Sequence, residues 1–248
     1  MDKVLGIGNA LVDIMTKLPD DSVLEKFSLP KGSMQLSERD FADKINNETM
    51  NFEKSQSSGG SAANTIHGLA SLGAPTGYIG KVGNDSFGEF FSNDMKANGI
   101  EPFMLKSTTD TGRAIALISP DSERTFATYL GAAVELSDTD LNPEQFKGYK
   151  YLHIEGYLVL NHALMLKAAE LAKANHMKIS LDMASFNVVE DNLAFLKDYV
   201  KKYVDIIFAN EEEAKAFTGK EPEYALNEIA EQCEIAVVKI GSKGSMVK

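Results

Sequence analysis

Short apolar runs bounded by polar turns alternate along the chain with stretches whose apolar residues recur every three or four positions. Lys3 to Gly8, Thr76 to Lys81, Tyr149 to Glu155, Lys178 to Met183, Asp205 to Ala209 and Ile235 to Ile240 read as buried strands. Helical spacing follows most of them. It is carried first by Ala62, Ala63, Ile66, Leu69, Ala70 and Leu72, then by Phe87, Phe90, Phe91 and Met95. Further helices are predicted over Asn161–Asn175, Asn192–Tyr203, Glu211–Phe217 with Gly219 closing it, and Tyr224–Gln232. Ile206-Ile207-Phe208-Ala209 and Ile235-Ala236-Val237-Val238 are apolar at every position, which a sheet covered on both faces requires. The pattern predicts an α/β fold, a three-layer α/β/α Rossmann-like domain built on a mostly parallel sheet.

Two stretches break the alternation. Between the first strand and a strand-like run at Asn51–Ser55 lies an insertion of roughly 45 residues, long for a simple crossover. It holds the turns Leu18-Pro19-Asp20-Asp21 and Leu29-Pro30-Lys31-Gly32 and a short strand, Met34-Gln35-Leu36. A helix is expected after it from a capping box of Ser37 and Asp40. Later, Ile100–Lys106, Arg113–Ser119 and Arg124–Leu130 read as strands with no helix between them. The last two are joined by a hairpin loop, Pro120-Asp121-Ser122-Glu123. The expectation is one domain over 1–248, with insertions near 13–55 and 100–130 forming a small β-sheet lid.

Composition narrows the classes. The 248 residues are 44% hydrophobic and 25% charged, ordinary for a soluble globular chain. A net charge of −11 argues against nucleic acid or an anionic membrane as partner. It leaves a nucleotide open, because local amides and magnesium can hold phosphate on an acidic protein. The single cysteine, Cys233, excludes an internal disulfide and suits a reducing cytoplasm. Met1-Asp2-Lys3-Val4-Leu5-Gly6 reads as an entering strand, not a signal peptide. Cytoplasmic location is the expectation.

Candidate chemistry gathers after the strands. Ser57-Ser58-Gly59-Gly60-Ser61-Ala62-Ala63-Asn64 joins a strand to a helix, and its paired glycines are either a tight turn or a place where backbone approaches a ligand. Ser61 is the expected helix cap, and Asn64 falls in the first turn. Asp13, in an apolar setting, is either structural or the acceptor for two neighbouring hydroxyls of a sugar. Asn210-Glu211-Glu212-Glu213 opens a helix; its acids either answer the helix dipole or, through Glu213, orient magnesium-bound water. Gly241-Ser242-Lys243-Gly244 is a hairpin turn or a cradle for nucleotide phosphates. Gly6-Ile7-Gly8-Asn9 is no dinucleotide fingerprint, because Leu11 stands where a third small residue is needed. Neither a Walker A sequence nor a G-x-S-x-G elbow is present, and His67, His153, His162 and His176 lack metal spacing.

Together these stretches resemble the ribokinase-like (PfkB) sugar and nucleoside kinases. The likeness rests on Gly59–Asn64, Leu72-Gly73, Ile79–Gly83, Gly83-Asn84-Asp85-Ser86-Phe87-Gly88 and Asn210–Glu213. Gly8–Ile14, Glu123–Ala133 and Tyr203–Glu211 look most like adenosine kinases. The resemblance implies ATP- and Mg2+-dependent phosphorylation of a primary hydroxyl on a nucleoside, or alternatively a sugar. It implies that Asp13, Gly59, Gly60 and Asn64 hold the acceptor. It implies too that Asn210, Glu213, Gly241 and Gly244 serve ATP and magnesium, Glu213 through water. The family's Gly-Ala-Gly-Asp helix start, which supplies the catalytic base, has no counterpart here. The resemblance therefore places the base after Lys248, with a catalytically inactive ligand-binding relative as the third reading. Oligomeric state is left as monomer or lid-mediated homodimer.

Overall fold

The computed structural model describes every residue from Met1 to Lys248. Its first half runs β1 (Val4–Ile7), β2 (Leu11–Lys17), α1 (Ser22–Lys26), β3 (Met34–Leu36), α2 (Arg39–Glu48), β4 (Lys54–Gly59) and α3 (Ser61–Ser71). There follow β5 (Thr76–Gly83), α4 (Ser86–Ala97), β6 (Ile100–Ser107), β7 (Gly112–Ile118) and β8 (Arg124–Tyr129). The second half alternates: β9 (Tyr151–Glu155), α5 (His162–Ala174), β10 (Lys178–Asp182), α6 (Phe186–Asp191) and α7 (Leu193–Tyr203). It ends with β11 (Ile206–Asn210), α8 (Glu211–Thr218), α9 (Pro222–Ala230), β12 (Ile235–Lys239) and β13 (Ser245–Val247).

Two sheets result. The larger has the order β13-β12-β11-β10-β9-β1-β5-β6, and only β13 runs antiparallel to its neighbour. Alternate residues of its central strands enter separate cores. Leu5, Ile7 and Ile79 lie in one, Tyr78 and Val82 in the other, so apolar material covers both faces. The second core continues through α3 and α4 to the back of the smaller sheet, where Val12, Ile14, Ile115 and Leu117 join it. The smaller sheet has the order β3-β8-β7-β2-β4. No helix is long and apolar enough to cross a membrane.

The α/β class follows the apolar pattern, but three expectations are corrected. The strand at Ile100, expected in the lid, is β6 of the larger sheet, paired in parallel with β5 from Thr76↔Ile100 to Gly83↔Ser107. No helix follows it before β7, so its sequence reads like the lid strands. The insertion expected from residue 13 does not open with a turn: Asp13 sits inside β2, between β4 and β7, with Val12, Ile14 and Thr16 buried. Ser37 caps nothing; its N–H donates to Thr128 O at 2.8 Å, prolonging the β3–β8 pairing, and α2 starts after Glu38 without a side-chain cap.

Asp85 fastens the two sheets at one crossing. As N-cap of α4 its Oδ1 accepts from Gly88 N (2.8 Å) and from Thr111 Oγ1 (2.6 Å), and its Oδ2 accepts from Thr111 N (2.8 Å) at the entrance to β7. Asp85→Ala should lower stability by about 2–3 kcal/mol, a lost cap together with unsatisfied donors. Urea denaturation checks this, and a loss under about 0.5 kcal/mol would contradict the assignment.

Candidate functional site

The order of the larger sheet reverses at β1. From there the chain builds β5 and β6 on one side and, later, β9 to β12 on the other. In open α/β sheets a crevice forms at such a point, beyond the carboxyl ends of the strands. Here the two ends are Asn9, just after β1, and Glu155, the last residue of β9. Glu155 is 2% exposed. Its Oε1 accepts from Asn9 Nδ2 at 2.6 Å and its Oε2 from Ala62 N at 3.1 Å. That second bond serves a free N–H in the first turn of α3. The expected cap, Ser61, is already helical; Gly60 occupies the cap position at φ 106° and makes no side-chain bond. Burial raises the Glu155 carboxyl above its ordinary range, against these donors.

Glycine is required at this seam. A Cβ on Gly8 would lie 2.9 Å from the Ala62 Cβ, and one on Gly60 would collide with the Asn9 carbonyl oxygen. Gly59 is similarly closed: its missing side chain is replaced by the Asp13 carboxylate, which lies against its Cα. Strand pairing explains this meeting, since Leu11 pairs with Gly59 and Asp13 with Ser57 in the antiparallel β2–β4 ladder. The structure thus brings Asp13 to Gly59. Burial alone pushes the Asp13 carboxyl up to about 6. Asn64 sits exposed in the first turn of α3, its N–H bonded to Gly60 O at 2.9 Å.

A cleft of ≈ 1220 Å³ opens over Asn9, Gly60, Ser61 and Glu155. Of its 24 lining residues 14 are hydrophobic, enough to favour a ligand with a large apolar face. One wall comes from the smaller sheet (Met34, Leu36, Phe126), the other from Tyr157, Leu158 and the start of α5. Asp13, Gly59 and Asn64 border this region without lining the cleft itself.

The other predicted group lies at β11 and β12. Asn210 and Glu213 form a reciprocal capping box. Asn210 N and Nδ2 donate to Glu213 Oε2 (2.8 Å) and Oε1 (2.7 Å), and Glu213 N donates to Asn210 Oδ1 (2.8 Å). Burial raises the Glu213 carboxyl, with neighbouring Asp182 adding repulsion. Asp182, at the end of β10, pairs with Lys239 at 3.1 Å. Gly241 and Gly244 bound the short β12–β13 hairpin at φ 54° and 97°, with nothing within 4 Å of where a Cβ would stand. Three strand spacings of ~4.8 Å separate β1 from β11, so the two groups stand about 14 Å apart along one sheet edge.

Three of the histidines have packing or hydrogen-bond partners, and one of them, His162, also lines the cleft. His153 is buried beside Ser180 Oγ (3.0 Å), His67 Nε2 meets Ser58 Oγ (2.7 Å), and His162 stacks on Phe195. No three acidic, His or Cys side chains are grouped to hold a metal by themselves. Asn9 and Glu155 are the site residues that sequence reasoning did not assign. Their positions at strand ends were the available signal; the contact between residues 146 apart was not.

The model of the pfkB family carbohydrate kinases matches residues 35–248, and the chain belongs to that family. Among solved structures it is similar to adenosine kinase from Sinorhizobium meliloti, at 34% identity and a TM-score of 0.85, covering 99% of this chain and 76% of that one. A probable sugar kinase from Rhizobium etli CFN 42 superposes at 31% identity and TM-score 0.87, with 99% and 76% covered. Guanosine-inosine kinase of Escherichia coli (strain K12) is 27% identical over 238 residues, 88% of this chain and 53% of that enzyme. The chain thus spans about half the length of that curated relative.

Because the folded Asp13 carboxyl titrates at about 6 against 3.8 ordinarily, the fold holds a proton that the unfolded chain has lost between those values. Stability from this group therefore falls as pH rises through that window. Asp13→Asn should stabilise the ligand-free protein by about 1–2 kcal/mol at pH ~7.5, allowing for solvent reaching the group, and change little near pH ~4. Urea denaturation at the two pH values checks this; a less stable variant at the higher pH would contradict it.

Proposed function

We propose that this chain binds a nucleoside and presents its primary hydroxyl for ATP-dependent phosphorylation. The observation that carries the reading is the cleft at the switch point, mostly apolar, with a glycine floor and a desolvated carboxylate at its border. A flat base gains from such walls, whereas a free hexose would leave its ring of hydroxyls facing apolar side chains. Similarity to an adenosine kinase and a guanosine-inosine kinase supports the same choice. Asp13 accepts from the ribose hydroxyls, Gly59 and Gly60 let the sugar meet backbone, and Asn64 borders it. The smaller sheet, with Met34, Leu36 and Phe126 on the cleft, acts as a lid that excludes competing water.

The residues at β11 and β12 fit ATP with magnesium. Asp182 and Glu213 leave an excess of negative charge facing one Lys239, which suits a hydrated cation that takes few protein ligands. Both Glu213 oxygens are held by Asn210, so contact with the cation through water is the role left to them. The open sides of Gly241 and Gly244 leave room for nucleotide backbone contacts. When bound, magnesium would neutralise charge on the phosphates. Asp85 is committed to Thr111 and Gly88, and Asp205 to Lys173 and the Ile179 N–H, which leaves neither free as catalytic base.

Calorimetry with adenosine, inosine, ribose and fructose tests the substrate class. Adenosine or inosine should bind and fructose should not; binding of fructose alone would overturn the nucleoside reading. Asp13→Ala should weaken nucleoside binding by about 1.5–3 kcal/mol, roughly 10- to 150-fold, and unchanged affinity in the folded variant would remove Asp13 from the site.

A further inference from the structure

Glu155 is a buried carboxylate whose partners are neutral donors, the Asn9 amide and the Ala62 N–H, with no cation to balance it. An ionised carboxylate only accepts hydrogen bonds, and a side-chain amide has one donating and one accepting end. With Glu155 ionised, the Asn9 amide, 2.6 Å from its Oε1, stands with Nδ2 inward, because the flipped amide would set two acceptors against each other. Asn9 lines the cleft, and its Oδ1 is not among the enclosed polar atoms that lack a partner. With no hydrogen bond inside the protein, that oxygen is the end of the amide open to the cleft. It stands beside the floor, where the Asn9 backbone carbonyl closes on Gly60.

We propose that Glu155 is a positioning residue that sets the hydrogen-bond polarity of the cleft. By holding Asn9 Nδ2 inward it presents Oδ1 as an acceptor, so that the site selects ligands offering an O–H or N–H donor next to the glycine floor. The same carboxylate fixes the first turn of α3 through Ala62, so floor and acceptor are set together. Removing one charge should reverse the selection. In Glu155→Gln, the amide oxygen keeps the Ala62 N–H, the new Nε2 faces Asn9, and the Asn9 amide turns over to bond it. The cleft then meets a donor, Nδ2, in place of an acceptor. In the double variant Asn9→Asp with Glu155→Gln, one Asp oxygen accepts from Gln Nε2 and the other restores the acceptor.

The choice of probes rests on the nucleoside reading. Calorimetric Kd values are measured for adenosine, 2′-deoxy-2′-fluoroadenosine and 3′-deoxy-3′-fluoroadenosine, in which a hydroxyl donor is replaced by a weak acceptor of similar size. Wild type should bind at least one fluoro analogue about tenfold more weakly than adenosine, the value of one hydrogen bond. Glu155→Gln should cut that discrimination about fivefold, and the double variant should restore it. Unchanged discrimination in Glu155→Gln for both analogues, or no recovery in the double variant, overturns the proposal. A second measurement needs neither ligand nor variant folding. In the wild-type protein the Asn9 side-chain N–H protons, observed by NMR, should exchange with water at least about tenfold more slowly than a free amide, and free exchange overturns the proposal. If no form binds adenosine, the nucleoside reading fails, and the exchange result still decides the role of Glu155.

Discussion

The close approach of three backbone segments around one buried carboxylate holds this molecule in its shape. Gly8 after β1, Gly60 before α3 and the end of β9 meet so tightly that side chains at the two glycines are excluded, and Glu155 bonds what remains. The chain crosses between its two sheets at β1–β2, β4–β5, β6–β7 and β8–β9, four times in all. The first two crossings run through this seam. The third is fastened by Asp85 on Thr111 and by Glu135 on the hydroxyls of Ser107 and Thr109. A cleft between two sheets keeps its walls in register only if such crossings are fixed, and here each of these three is fixed by a carboxylate or a glycine contact.

The same edge of the larger sheet changes character from β1 toward β12. At β1 and β9 the surroundings are apolar and short of cations, which suits an uncharged acceptor with a flat base. At β10 to β12 the groups are Asp182, Lys239 and the Asn210–Glu213 box, which suit phosphate with a hydrated cation. About 14 Å of sheet separates Asn9, after β1, from Asn210, at the end of β11, and strands span it, while Asp182 on β10 pairs directly with Glu155 on β9.

Much of this was legible in the sequence because it was local. Apolar runs gave the α/β class, and the glycine pair, Asp13 and Asn210–Glu213 each announced themselves within a few residues. What was missed was long-range. Ile100–Ser107 reads like any strand, and only its pairing with β5 assigns it to the larger sheet. Ser61 looks like a cap, but Glu155 takes the N–H of Ala62, from which it is 93 residues distant, instead. For Glu155 the local signal is only that it ends a strand, and its meaning comes from what the topology sets opposite it.

The most direct test of the account is an experimental structure of the protein with adenosine bound. The ribose should lie on Gly59 and Gly60 with its hydroxyls toward the Asp13 carboxylate and Asn9 Oδ1, and the base should lie between Tyr157 and the wall formed by Phe126 and Leu36. A base seated at Asn210–Glu213, or a ribose away from the glycine floor, would contradict it.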